Sequence, residues 1–174
     1  MDVLTTEFKK KLGRQRGVYV ISTGYYASAF GIFKVGMAAE KSFNHRFSTF
    51  KYAGYGAIDK ILCFGLICVS HDTMGKNHNK STTCHGLAQV CRRIEQDVLQ
   101  RLDHFRLRYT DTGRKSEWLR VDLRLVLGML ESYHGLVSMV GPTRCVATRC
   151  YGISLSEDDA KCDKGHKGEV VMDG

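Results

Sequence analysis

The run Ile58-Asp59-Lys60-Ile61-Leu62-Cys63-Phe64-Gly65-Leu66-Ile67-Cys68-Val69 constrains this chain more than any other segment. It is almost continuously apolar, without the alternation of a strand that has one wet face, so it reads as a buried central strand covered on both sides. Two further strands precede it. Gly17-Val18-Tyr19-Val20-Ile21 is rich in β-branched and aromatic side chains and runs into the turn cluster Ser22-Thr23-Gly24. Gly31-Ile32-Phe33-Lys34-Val35 ends at Gly36, and Tyr25 to Phe30 between the two is simplest as the long tip of a hairpin.

The cover for such a sheet is helical. Phe43, Phe47 and Phe50 fall on one face of a helix over Ala38 to Phe50, with Arg46 beside the stripe. Leu87, Val90, Cys91, Ile94, Val98, Leu102 and Phe105 recur at steps of three and four, the strongest helical pattern in the chain, with Arg92, Arg93, Gln96 and Gln100 on the opposite face. Ser116 to Val121 reads as a short strand or ordered turn, and Leu123 to Tyr133 as a last helix. The predicted fold class is therefore α+β, a small, mainly antiparallel central sheet of about three strands flanked by helices. The predicted organisation is a basic arm or helix over 1–16, a domain over 17–140 with a polar insertion at 70–86, and a Cys-containing, partly flexible extension over 141–174 that begins at Gly141-Pro142.

With 174 residues, 43% hydrophobic and 25% charged, the chain suits one domain with its own core, which excludes disordered, collagenous and coiled-coil classes. Lys and Arg outnumber Asp and Glu by 26 to 18, a net charge of +8, so a polyanion is an expected partner through phosphate neutralisation and counterion release. No apolar run reaches the ~20 residues needed to span a bilayer, and the N-terminus lacks a signal-peptide core. The expected location is intracellular: cytoplasm, nucleus or a virus-infected cell. Seven cysteines, an odd number without framework spacing, fit reduced thiols better than secreted disulfides.

Gly17-Val18-Tyr19 opening one strand and Lys34-Val35-Gly36 closing the next resemble the paired signatures of the GIY-YIG endonuclease superfamily. His45-Arg46-Phe47 is similar to that family's arginine segment, and Glu95 sits where the family keeps its metal-binding glutamate. Glu117-Trp118-Leu119 resembles the Glu-Trp element of the branch found in phages and large DNA viruses. The resemblance covers Gly17 to Leu127. It implies a metal-dependent endonuclease hydrolysing DNA phosphodiester bonds with Mg²⁺ or Mn²⁺. Glu95 would hold the metal, Tyr19 would orient or deprotonate water with a lowered phenol pKa, and Arg46 with Lys34 would offset charge on the phosphate.

Two departures stand against that pattern. Lys34 occupies the place of a tyrosine, and Met37 the place of a lysine just after the glycine. Lys34 either supplies the missing positive charge or is a surface lysine. In the first case Lys34→Met abolishes cleavage, while Met37→Lys leaves it unchanged or raises it.

The residues carry their own physical reading. Glu95 lies beside Cys91, Ile94 and Val98 at the edge of the apolar stripe, where a half-buried carboxylate needs either a divalent cation or a cationic neighbour such as Arg92. Tyr19 shares a strand face with Gly17 and Ile21, opposite Val18 and Val20, and is either a site residue or a core tyrosine. Lys9, Lys10, Lys11, Arg14, Arg16, Lys51, Arg92 and Arg93 are candidate DNA-backbone contacts. Two donor sets suit a structural zinc by type: His71, His78, Cys84, His85 and Cys91, and Cys145, Cys150, Cys162 and His166. The alternative function is a catalytically inactive nucleic-acid-binding or interaction module, zinc-stabilised if those donors converge. Substrate structure, pathway and oligomeric state stay open.

Overall fold

The structure, a computed structural model, describes residues 2–3, 12, 14–49, 61–71, 80–140 and 143–151. In chain order the elements are β1 (Asp2–Val3), β2 (Gly17–Thr23), α1 (Gly24–Phe30), β3 (Ile32–Ala38), α2 (Phe43–Thr49), β4 (Ile61–His71) and α3 (Lys80–Arg101). A 3₁₀ turn (Asp103–Phe105), β5 (Arg106–Arg108), β6 (Lys115–Arg120), α4 (Leu123–Glu131), β7 (Val137–Val140) and β8 (Thr143–Tyr151) follow.

All strand pairs are antiparallel, and the sheet runs β5-β6-β3-β2-β4-β8-β7 with β1 against β4. This corrects the expected sheet of about three strands: seven form one path and β1 is a short eighth, with four α-helices among the described residues. The three strands read from sequence are its centre. The others are short or come from the segment taken as an extension. In β8, Cys145 and Ala147 are buried while Arg144 and Thr148 are exposed, an alternation too brief and too poor in large side chains to announce a strand.

The run 61–71 is covered on both faces. On one side Val18, Val20, Phe33, Val35, Ile67 and Val69 pack under α3 and α4 through Val90, Cys91, Ile94, Val98, Val126 and Leu130. On the other, Tyr19, Ile21, Leu66 and Cys68 pack with Phe43, Phe47 and Leu12. A register shift between Val20 and Ile21 pairs them with Gly65 and Cys63. It skips Phe64, which meets Phe33 edge-on at 5.2 Å within the helix-side core. Each fully buried aliphatic or aromatic side chain contributes ~1.5–3 kcal/mol, so the two layers hold the sheet from both faces.

Tyr25 to Phe30 is not a hairpin tip but α1. Thr23 caps it by accepting from the Tyr26 N–H at 3.1 Å, and Gly31, at φ 59°, ends it in the left-handed conformation that a glycine adopts without steric cost. The stripe on α3 is interrupted at Leu102, where the chain tightens into the 3₁₀ turn and Phe105 becomes exposed. Cys63, Cys91 and Cys145 are free, whereas Cys68 is disulfide-bonded, so the expectation of reduced thiols fails at that position. Spacing along a sequence is silent about which cysteines folding makes neighbours. No helix among the described residues is long and apolar enough to cross a membrane.

Candidate functional site

The β2–β3 ladder sets Tyr19 directly opposite Gly36. A Cβ on Gly36 would lie 2.5 Å from the Tyr19 hydroxyl, so the ring lies over a position that only glycine can fill. Phe47 and Phe43 of α2 hold the same ring edge-on at 5.2 and 6.4 Å. One turn of α2 between those phenylalanines carries Arg46, whose Nε donates to the Tyr19 hydroxyl at 3.3 Å. Tyr19 is thus both a core tyrosine and the partner of an exposed arginine. Burial pushes its phenol up to about 12, against the opposing pull of Arg46 and Lys34 and with a small push from Glu117. Desolvation thus outweighs both cations, and Arg46 and Lys34 alone do not supply the lowered phenol pKa expected of a base.

Lys34 lies beside this pair on β3, in register with Ile21 on one side and Trp118 on the other. It is not a surface lysine. Its side chain is 10% exposed, its ammonium stands 2.7 Å from a carboxylate oxygen of Glu117, and it lies 6.0 Å from the centroid of the Trp118 ring. Strand β6 pairs with β3 at Ile32, Phe33 and Lys34. Beyond Lys34, no strand among the described residues covers that edge, and this notch is where Lys34 and Glu117 meet.

From beneath, α3 brings Glu95, 8% exposed and flanked by the buried Cys91, Ile94 and Val98. Burial is the main cause that pushes its carboxyl up to about 7. The Glu117 carboxylate adds to this, while Lys34, Arg46 and Arg92 act the other way. Among the described residues the Glu95 carboxyl forms no salt bridge. Tyr19 and Glu95 thus each feel the charges of Lys34, Arg46 and Glu117, and the five residues come from five different elements. Gly36 and Glu117 were visible in the sequence only as parts of quoted motifs. Nothing in their local pattern marks one as a socket and the other as a counter-ion.

Met37 lies on the sheet face that α3 covers, not on the face of Tyr19. It pairs with Val18 and packs on the helix-side core, the face opposite Tyr19. Of the expected DNA contacts, Arg14, Arg92 and Arg93 are exposed and Arg16 is half-buried. Arg92 acts on Glu95, but Arg93 acts on Tyr133, whose hydroxyl bonds to Asp97. Lys9, Lys10, Lys11 and Lys51 lie outside the described residues. So do His78, Cys162 and His166 of the two zinc sets. No group of three or more His, Cys, Asp or Glu suited to a metal occurs among the described residues. Burial pushes the Cys91 thiol up to about 12 and Cys145 upward too, which keeps both protonated. A cavity of about 440 Å³ lined by Ala27, Phe33, Leu62, Phe64, Val121 and Leu123 is apolar and holds none of the site residues.

The sequence model of the T5orf172 domain matches residues 16–134, about two thirds of the chain, a span that contains all five site residues. The chain belongs to the T5orf172 domain family. This corrects the resemblance to the GIY-YIG superfamily, whose model does not match. T5orf172 domains are related to homing-endonuclease-like folds. The family is nuclease-like and DNA-interacting, so a nucleic-acid-related role follows for this T5orf172 domain. The match carries neither a metal nor a viral source. No curated protein and no solved structure matches the chain.

Proposed function

We propose that this T5orf172 domain is a divalent-cation-dependent endonuclease that hydrolyses DNA phosphodiester bonds. The observation that carries the reading is the carboxyl of Glu95: buried, pushed up to about 7, and raised in part by a second carboxylate, Glu117, while the cations Lys34 and Arg46 lower it. A buried carboxyl whose charging a second carboxylate opposes fits Mg²⁺ or Mn²⁺, which are commonly held by one or two carboxylates with water and substrate phosphate completing the shell. Such a cation, when bound, would polarise the scissile phosphate and lower the pKa of attacking water.

The chain's own residues do the rest. Glu95 is the principal cation ligand, and because its proton competes with the cation, occupancy rises with pH through neutrality. Tyr19, wholly buried, holds the Arg46 guanidinium in place through its hydroxyl. Arg46 and Lys34 offset the negative charge that accumulates on the phosphate. Exposed Arg14 and Arg92 contact the DNA backbone, which positions without reading sequence.

The binding-only reading draws on a different observation. Lys34 is already paired with Glu117, and the Tyr19 side chain is wholly buried. The deciding experiment incubates supercoiled, linear and branched DNA with the protein in Mg²⁺ or Mn²⁺ and in excess chelator. Cleavage that appears only with the cation supports the nuclease. Salt-sensitive binding without cleavage of any form supports the binding module.

A further inference from the structure

Helix α1 buries none of its seven residues, yet it carries three aromatic rings. Tyr25 is 60% exposed, Tyr26 42% and Phe30 40%. They form one cluster: Tyr25 meets Phe30 at 5.4 Å and Tyr26 at 6.1 Å, and Tyr26 meets Trp118 at 6.2 Å. The Tyr25–Phe30 and Tyr26–Trp118 planes cross at 82° and 80°, so these rings touch by an edge and do not cover one another by stacking. Trp118 then meets Lys34, and Lys34 meets Glu117. The aromatic cluster is thus continuous with the candidate site through a single half-buried ring, and exposed Arg120 lies two residues further along β6, on the same strand face as Trp118.

We propose that Tyr25, Tyr26, Phe30 and Trp118 form a base-stacking platform, so that the substrate is DNA with unpaired bases next to the phosphate held at Lys34 and Arg46. The argument is one of complementarity. Exposed flat apolar rings that lead directly into a cationic notch match a strand whose π-faces alternate with phosphates. Bases inside an intact duplex turn their faces to one another and cannot reach such rings; unpaired or flipped ones can. A protein partner would be matched by the rings alone, not by their continuity with Lys34 and Arg120. The inference rests on the nuclease reading for the place of the cut, while stacking itself needs no turnover.

Trp118 is the only tryptophan in the chain and therefore reports on the platform directly. The full chain, in chelator, is titrated with a short oligothymidylate, with an abasic strand of equal phosphate number and with a blunt duplex. Trp118 fluorescence and affinity are read together. The expected result is quenching by oligothymidylate alone and affinity ~10-fold above that for the abasic strand. Tyr26→Ala should lose most of that advantage, Tyr26→Phe should keep it, and Tyr25→Ala, on an exposed position, serves as a second truncation. Equal affinity for the abasic strand, or truncations that leave oligothymidylate binding unchanged, overturns the platform even if the protein cleaves DNA. Quenching that depends on bases and on Tyr26 upholds it even if no DNA is cleaved, an outcome that would sink the nuclease reading alone.

Discussion

The Lys34 ammonium sits 2.7 Å from the Glu117 carboxylate, with the lysine side chain 10% exposed and the glutamate 44%. The pair is therefore lopsided: the cation is held in the protein while its partner reaches solvent. Removing the accessible half strands the buried half, so Glu117→Gln should destabilise the fold by about 1–2 kcal/mol, less than a fully buried pair would cost because water screens the glutamate.

The same substitution has a second, signed effect. Glu117 raises the Glu95 carboxyl and Lys34 lowers it. In pH–rate profiles the acid limb should move to lower pH in Glu117→Gln and to higher pH in Lys34→Met, which should also lose ~10²–10³-fold in rate. Met37→Lys should not rescue Lys34→Met. Its side chain packs on the helix-side core, where a lysine costs stability, and lies on the face of β3 opposite Lys34. Limbs that stay put, or a rescued double variant, would separate these charges from the site.

Tyr19 serves packing and hydrogen bonding through different atoms, so two variants divide its roles. Tyr19→Phe keeps the edge contacts with Phe43 and Phe47 and should cost less than ~1.5 kcal/mol of stability while cutting cleavage ~10²-fold or more. Gly36→Ala places its methyl within 2.5 Å of the hydroxyl position and should damage activity in the same way by displacing the ring. Thermal melts beside single-turnover rates check both. A fully active Tyr19→Phe would return the tyrosine to the core alone.

Glu95 should destabilise the free protein at alkaline pH. Its carboxyl titrates near 4.5 when unfolded and near 7 when folded, so between these values the unfolded state has lost a proton that the folded state keeps. Stability therefore falls as pH rises across that window, by up to about 3 kcal/mol above it. Without metal, Glu95→Gln should melt higher than the wild type at about pH 8 and match it at about pH 4. Saturating Mn²⁺ should narrow the gap by stabilising the wild type alone. Equal melts at both pH values would mean that this carboxyl is better solvated than its surroundings imply.

Much of the site could be read from periodicity. Period two placed Tyr19 with Ile21 and away from Val18 and Val20, and steps of three and four placed Glu95 at the margin of the stripe formed by Cys91, Ile94 and Val98. These are local consequences of strand and helix geometry. The sheet's full width was not local. Strand β8 exists because Thr143–Tyr151 finds β4, a contact that no window of sequence contains, and Gly141-Pro142 before it pointed to a boundary instead. Helix α1 did leave a signal in Thr23 and Gly31, which bracket it as caps, but a seven-residue segment with no buried face has no periodic stripe to confirm them. Lys34 and Glu117 lie far apart in sequence, and their pairing follows from the β3–β6 register.

The most direct test measures DNA binding and cleavage on the same preparations of wild type and Glu95→Gln with Mg²⁺ or Mn²⁺. Removing a negative charge should leave attraction to a polyanion equal or stronger, with the same steep salt dependence, while cleavage falls to the level seen in chelator. Cleavage by Glu95→Gln at the wild-type rate would contradict the account, because the carboxyl on which the proposed cation depends would then have no part in the reaction.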